Sequence, residues 1–158
     1  FVSLSPETRR VYGPHPFDRE TAERLAGTID PSSTLRFLAL LDDGLSSQRI
    51  LGYMILGRDV QASDLARYGE RIRDDVCASF APVVADVHQD KGIGTRMARH
   101  VVASARAIGL QQVILMGGVR DDNPRAQHFY EKLGFRRVGE FWLQPPERVL
   151  NHDMMLEL

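Results

Sequence analysis

Cysteine is almost missing: Cys77 stands alone among 158 residues. No disulfide can form within the chain, which suits a reducing, cytoplasmic setting. No apolar run approaches the ~20 residues needed to cross a bilayer, and the first residues lack the basic start and apolar stretch of a secretory leader. An excess of one charge is missing too. Twenty Lys and Arg stand against 21 Asp and Glu, a formal net charge of −1. With no basic stripe, nucleic acid and anionic membrane surfaces are excluded as partners, because neither polyanion would be attracted strongly. The five histidines show no metal-ligand spacing and Cys77 has no evident base beside it, so neither a metal nor a covalent nucleophile is expected. There is no internal repeat, low-complexity tract or linker. The length fits one domain, residues 1–158, able to bury roughly 70% of its unfolded surface without staples.

What is present reads as alternating strands and helices. Ser5 caps a helix with Pro6 at its first position, and Gly13-Pro14-His15-Pro16 breaks it. Asp18 caps a second short helix that ends near Gly27. Leu35 to Leu41 and Ile50 to Leu56 form a hairpin pair, with a turn beginning at Asp42-Asp43-Gly44. Residues 58–78 are charged enough for a surface loop, with one or two helical turns at Asp64 to Tyr68. Phe80 to Val84 is a short apolar strand. After it Met97, Ala98, Val101, Val102, Ala105 and Ile108 recur at helical spacing. Gly109 stops that helix, and Gln112 to Met116 is a second buried strand, parallel to the first through a right-handed crossover. Asn123 and Pro124 start another helix, whose apolar side carries Ala126, Phe129, Tyr130 and Leu133 and which Gly134 ends. Strands at Phe135 to Leu143 and Val149 to Leu158 close the chain.

The informative turn is Gln89-Asp90-Lys91-Gly92-Ile93-Gly94. Gly92 and Gly94 let the backbone approach a ligand closely, and the first N–H groups of the helix that follows have no partner inside it. Together they suit a phosphate or pyrophosphate. The lysine precedes the glycine pair, so this is no Walker loop. Met97 stands where a dinucleotide fingerprint needs its third glycine. The spacing instead is Gln-x-x-Gly-x-Gly. Here the chain resembles the GNAT superfamily of acyl-CoA-dependent N-acetyltransferases, whose pyrophosphate loop has that form. A second motif of that superfamily, Asn-x-x-Ala-x-x-x-Tyr-x-x-x-Gly-Phe, matches Asn123 to Phe135, 34 residues after Gln89. Residues 80 to 143 carry the resemblance closely, and residues 34 to 57 only as a plausible strand pair.

The resemblance implies a mixed α/β (α+β) domain, in which a central mixed β-sheet with splayed parallel strands is flanked by helices. It implies acetyl-CoA as co-substrate, with pantetheine in the splay. Backbone groups of Pro82, Val83 and Val84 would pair with the pantetheine amides, although Pro82 has no N–H to offer. The backbone of Gln89, Asp90, Lys91, Gly92, Ile93, Gly94 and Thr95 would hold the pyrophosphate, and Asn123 would contact the pantetheine arm. Asp90 departs from the glycine common at its position, its charge partly countered by Lys91. Relatives open with a further strand ahead of the region where Phe1 begins, and its lack would leave a sheet edge open.

The implied reaction is attack of a primary amine on the thioester. A backbone N–H near Val84 could bind the oxyanion, and Tyr130 is the candidate acid for the departing thiolate. A phenol near pKa ~10 can donate to a thiolate whose conjugate acid is near ~8.5. Some relatives carry a glutamate base just before Phe80, where this chain has Ser79. Glu70, Asp74, Asp75, Asp86 and His88 are the replacements on offer. The acceptor could be a small amine, an antibiotic, an amino acid, a peptide terminus or a protein lysine. The last strands could pair between copies in a homodimer. The competing reading is an acyl-CoA-binding or sensing module without turnover.

Overall fold

A computed structural model of the chain describes residues 4–42 and 48–158. The Asp43-Gly44 part of the expected turn lies outside them. The flanking strands, β1 (Thr34–Leu41) and β2 (Arg49–Gly57), pair antiparallel with Thr34 opposite Gly57. β2 pairs antiparallel in turn with β3 (Cys77–Val84), Tyr53 opposite Val83. β3 begins three residues ahead of the apolar run at Phe80. Cys77, Ala78 and Ser79 are small and read weakly as strand, yet all three are fully buried.

α4 (Ile93–Ala107) carries the chain from β3 to β4 (Gln112–Leu115), and the two strands are parallel with Cys77 opposite Gln112. Ala98, Val101 and Ala105 are buried along α4, whereas Ile108 lies past its end and is exposed. The apolar stripe is therefore one residue shorter than its spacing suggests. α5 (Pro124–Lys132) leads to β6 (Arg136–Trp142), and β7 (Leu150–Glu157) comes last. One edge of β7 pairs with β4 and then with a two-residue strand, β5 (Val119–Arg120). The other edge pairs with β6. Both edges of the last strand are thus filled from within the chain. Of the last two strands, β6 is left as the open edge on that side.

Alternation along β2 separates two layers. Met54 and Leu56 pack toward α4 with Phe80, Val101 and Leu115. Tyr53 and Ile55 face the other way, toward Leu4 and Val83, beside α1 (Pro6–Val11) and α2 (Arg19–Gly27). The expected helical turns at Asp64 to Tyr68 are α3 (Ala62–Tyr68), but they do not lie on the surface, since Asp64 and Tyr68 are fully buried. Tyr68 Oη donates to the Met154 carbonyl at 2.9 Å. Arg67 lies between Asp64 and Asp153 and over the ring of Phe141. Burial pushes the Asp153 carboxyl up, and Arg67 opposes it. Among the described residues no helix is long and apolar enough to cross a membrane.

Candidate active site

The parallel strands part for a visible reason. β3 and β4 pair only as far as Phe80 opposite Leu115, and Met116 N–H donates to the Phe80 carbonyl at 3.1 Å. Gly117 and Gly118 follow, both left-handed at φ +74° and +73°. A Cβ on Gly118 would stand 2.9 Å from the His152 carbonyl oxygen and from the Phe141 ring, so only glycine fits. Ile114 to Val119 advances five residues while their β7 partners, Met155 to His152, retreat three. That local excess swings the chain away from β3. Ala81 to Val84 keep β2 on one edge and have no strand on the other.

Ala85 N–H donates to the Leu51 carbonyl at 2.9 Å, so alternate residues Ala81 and Val83 turn their backbone to β2, and Phe80, Pro82 and Val84 turn theirs to the gap. Pro82 therefore removes nothing from the β2 ladder. Val83 is corrected: its backbone serves β2, and its buried side chain packs with Tyr53 and Leu4. Val84 leaves an N–H facing the gap.

At the turn, Gly92 caps α4 at φ +77° and accepts the first helical bond from Arg96 N–H, 3.0 Å. The N–H groups of Ile93, Gly94 and Thr95 precede that bond, and no side chain caps them. Uncapped N–H groups at a helix start suit an anion. A Cβ on Gly94 would only reach ordinary contact with Phe129, 3.4 Å, and Val84, 3.5 Å. Gln89 behaves differently from its neighbours. Its N–H donates to the Asp86 carbonyl at 3.2 Å, and its side-chain amide donates to the Val84 carbonyl at 2.9 Å. It ties the loop to the strand end instead of offering an N–H. Lys91 donates to the Val87 carbonyl at 2.8 Å. The cation nearest Asp90, which is itself left-handed at φ +56°, is Arg125 at 4.0 Å. Arg125 replaces Lys91 as the countercharge and was not legible as such.

Asp86 leaves the list of bases. It accepts from Ser5 N–H (2.9 Å), Ser5 Oγ (2.7 Å) and Thr8 Oγ1 (2.6 Å), fastening the start of α1 to the end of β3. Burial raises its pKa, but these donors outweigh burial and hold it at about 2. Asp86→Asn should therefore destabilise the fold by about 1–2 kcal/mol at pH 7. The folded-state pKa lies below the ordinary 3.8, so this contribution is complete above about pH 4 and fades as pH falls toward 2. Urea midpoints of the two proteins should differ at pH 7 and converge near pH 2. A gap that persists at pH 2 would contradict this.

The gap opens into a cleft of ≈ 670 Å³ lined by Pro82, Val84, Gly94, Asn123 and Tyr130 among others. Asn123 spends its side-chain oxygen capping α5, accepting from Ala126 N–H at 3.2 Å, which leaves its NH₂ for the cleft. Tyr130 is only 8% exposed and packs edge-on against Phe80, Phe129 and Phe135. Burial pushes its phenol pKa up, and no group among the described residues bonds its hydroxyl. It reaches the cleft as a protonated, uncommitted donor.

None of Glu70, Asp74, Asp75 or His88 lines the cleft. The first three precede the start of β3, at the end of the strand away from the gap. Ser79 is fully buried and donates to the Gly57 carbonyl at 3.3 Å. Burial pushes the Cys77 thiol up to about 12, so it stays an inert core residue. Residues that sequence reasoning missed join three elements at the cleft mouth. Arg10 on α1 pairs with Asp122 at 3.1 Å, and Arg120 on β5 pairs with both Asp122 and Glu147 of the β6–β7 connection. The double glycine before β5 was the available signal for them.

A mixed sheet parts here beside a helix start whose first N–H groups no side chain caps. A family model, Acetyltransferase (GNAT) family, matches residues 2–135, and the chain belongs to that family, whose members use acetyl-CoA. No curated protein sequence matches it. Among solved structures, spermidine N-acetyltransferase from Vibrio cholerae in complex with CoA and spermine is 19% identical, with a TM-score of 0.69 over 95% of this chain and 80% of that one. A GCN5-related N-acetyltransferase from Kribbella flavida is 18% identical, with a TM-score of 0.68 over 99% and 91%. At these identities the likeness is one of fold.

Proposed function

We propose that the chain transfers an acetyl group from acetyl-CoA to a primary amine by direct attack on the thioester. The observation that carries this reading is the uncommitted Tyr130 hydroxyl in the same cleft as the free N–H of Val84. Acetyl-CoA supplies the activated acyl group. Gly92, Ile93, Gly94 and Thr95 would hold its diphosphate, and Pro82, Val84 and Asn123 would align its arm along the open edge of β3. Alignment contributes the largest share, on the order of 7–11 kcal/mol. Val84 N–H donates to the carbonyl oxygen as negative charge gathers there, and Tyr130 Oη–H donates to the sulfur as the C–S bond breaks.

The acceptor is a small amine or the amine of a peptide or protein. A binding or sensing module is the alternative, but Ser79 no longer favours it, since that residue is sealed in the core away from the cleft. The test is thiol release from acetyl-CoA with a panel of spermidine, lysine, 2-phenylethylamine and a lysine-bearing peptide. Release with at least one amine supports transfer. A rise in melting temperature with acetyl-CoA and no release with any amine would make the chain a binder.

A further inference from the structure

Asn151 on β7 lines the cleft and is only 2% exposed. Its Nδ2 donates to the Val149 carbonyl at 3.2 Å. A carbonyl can only accept, so that bond fixes which end of the amide is nitrogen. Oδ1 is left with no donor among the described residues, yet it is not sealed from contact as a buried orphan would be. Buried side-chain oxygens almost always have a partner. This one turns to the cleft, prepared for a donor from outside the chain.

Position says which part of a bound molecule that donor belongs to. Asp153 and Met155 of β7 face α3, where they meet Arg67 and Tyr68, and Asn151 shares that face by alternation. Met154 points the opposite way and packs in the core with Tyr130. Asn151 therefore opens onto the side of the sheet away from α4 and α5. It pairs in register with Arg120 of β5, so it stands one strand spacing, about 4.8 Å, behind the strand that walls the gap. It addresses the remote end of an acceptor, not the nitrogen that attacks.

Charge at this end is unbalanced. Arg120, as the register partner of Asn151, leaves the sheet on the same face, and Glu147 reaches that face through it. Asp122 has both oxygens on Arg10 and Arg120, and Glu7 has both on Arg10. Three carboxylates thus meet two guanidiniums, leaving one negative charge in excess. The carboxylate oxygen with no partner among the described residues is Glu147 Oε1, on a residue that also lines the cleft.

We propose that Asn151 Oδ1 and Glu147 Oε1 hold a second protonated nitrogen of the acceptor, making the chain selective for diamines over monoamines and over amines that end in a carboxylate. An ammonium has three donors and no acceptor, which suits one neutral and one charged oxygen. A carboxylate end would meet both oxygens as like poles. The selectivity rests on the acetyl-transfer reading, but the site itself does not.

The test is kcat/KM for thiol release from acetyl-CoA with 1,5-diaminopentane, pentylamine and 5-aminopentanoate, and with the matching four-carbon set. Within a set the reacting amine is the same and the far end differs. At one length or both, the diamine should exceed the monoamine by roughly 10–100-fold, with the carboxylate-ended amine lowest. Equal values across the three ends at both lengths overturn the proposal. Glu147 is half exposed, so Glu147→Gln leaves the core alone, and it should bring the diamine and the monoamine to within about threefold of each other. Glu147→Lys should invert the order in favour of 5-aminopentanoate, which a loss of fold could not do. Asn151→Leu should raise KM for the diamine more than it lowers kcat. A Glu147→Gln protein that keeps the wild-type preference overturns the proposal. If the wild type releases no thiol with any amine, the transfer reading falls instead. Calorimetric titration of the same compounds onto the chain saturated with CoA then decides the site alone: tighter binding of the diamine supports it, and equal binding overturns it.

Discussion

Tyr130→Phe should lower kcat by roughly 10²–10⁴-fold while leaving the acetyl-CoA dissociation constant within about twofold. The side chain is 8% exposed and held among three phenylalanine rings, so the ring packs the same way without its hydroxyl. No group among the described residues loses a bond when the oxygen goes, and the core should melt as before. What disappears is the proton for the sulfur. Burial raises the phenol's pKa, but a thiolate formed in the same apolar surroundings is raised with it, so the pair stays matched. Single-turnover kinetics beside equilibrium binding separates the two effects. Unchanged turnover would strip Tyr130 of the role.

Gly94→Glu should move stability and affinity in opposite directions. A Cβ at this position meets only Phe129 at 3.4 Å and Val84 at 3.5 Å, so the fold has room for the start of a side chain. A carboxylate in the first turn of α4 complements the helix dipole by about 0.3–1 kcal/mol, and leaving glycine adds a similar amount. The melting temperature should hold or rise by a few degrees. The same charge would sit where a diphosphate is expected. A like-charge pair at about 4 Å near a protein surface costs on the order of 4 kcal/mol, so acetyl-CoA affinity should fall roughly 10²–10³-fold. Calorimetric titration with acetyl-CoA beside thermal melting checks both arms. Undiminished affinity would mean that the cradle at Gly92 to Thr95 is not where the diphosphate binds.

The parts of the site legible in the amino-acid order are those whose causes are local. Asn123 caps the helix that Pro124 begins, and Gly92 takes the left-handed turn ahead of α4. Both depend on neighbours a few residues away. What stayed illegible depends on partners far along the chain. β5 is two residues long and exists because β7 offers His152 and Asn151 to it. Asp64, Arg67 and Asp153 look like solvated charges until the fold buries them against one another. Asp86 resembles a base until Ser5 and Thr8 are found on its oxygens.

The place of β7 bears on how the catalyst comes into being. Leu150 to Glu157 leave the ribosome after every other described element, yet β4, β5 and β6 share no neighbour until that strand slots between them. A nascent chain still short of it can form its hairpin and its longest helix, but it lacks the wedge that holds the donor groove apart. Competence therefore arrives only once that strand has emerged, and deleting β7 should disarm the molecule more thoroughly than deleting α2, an element of similar length.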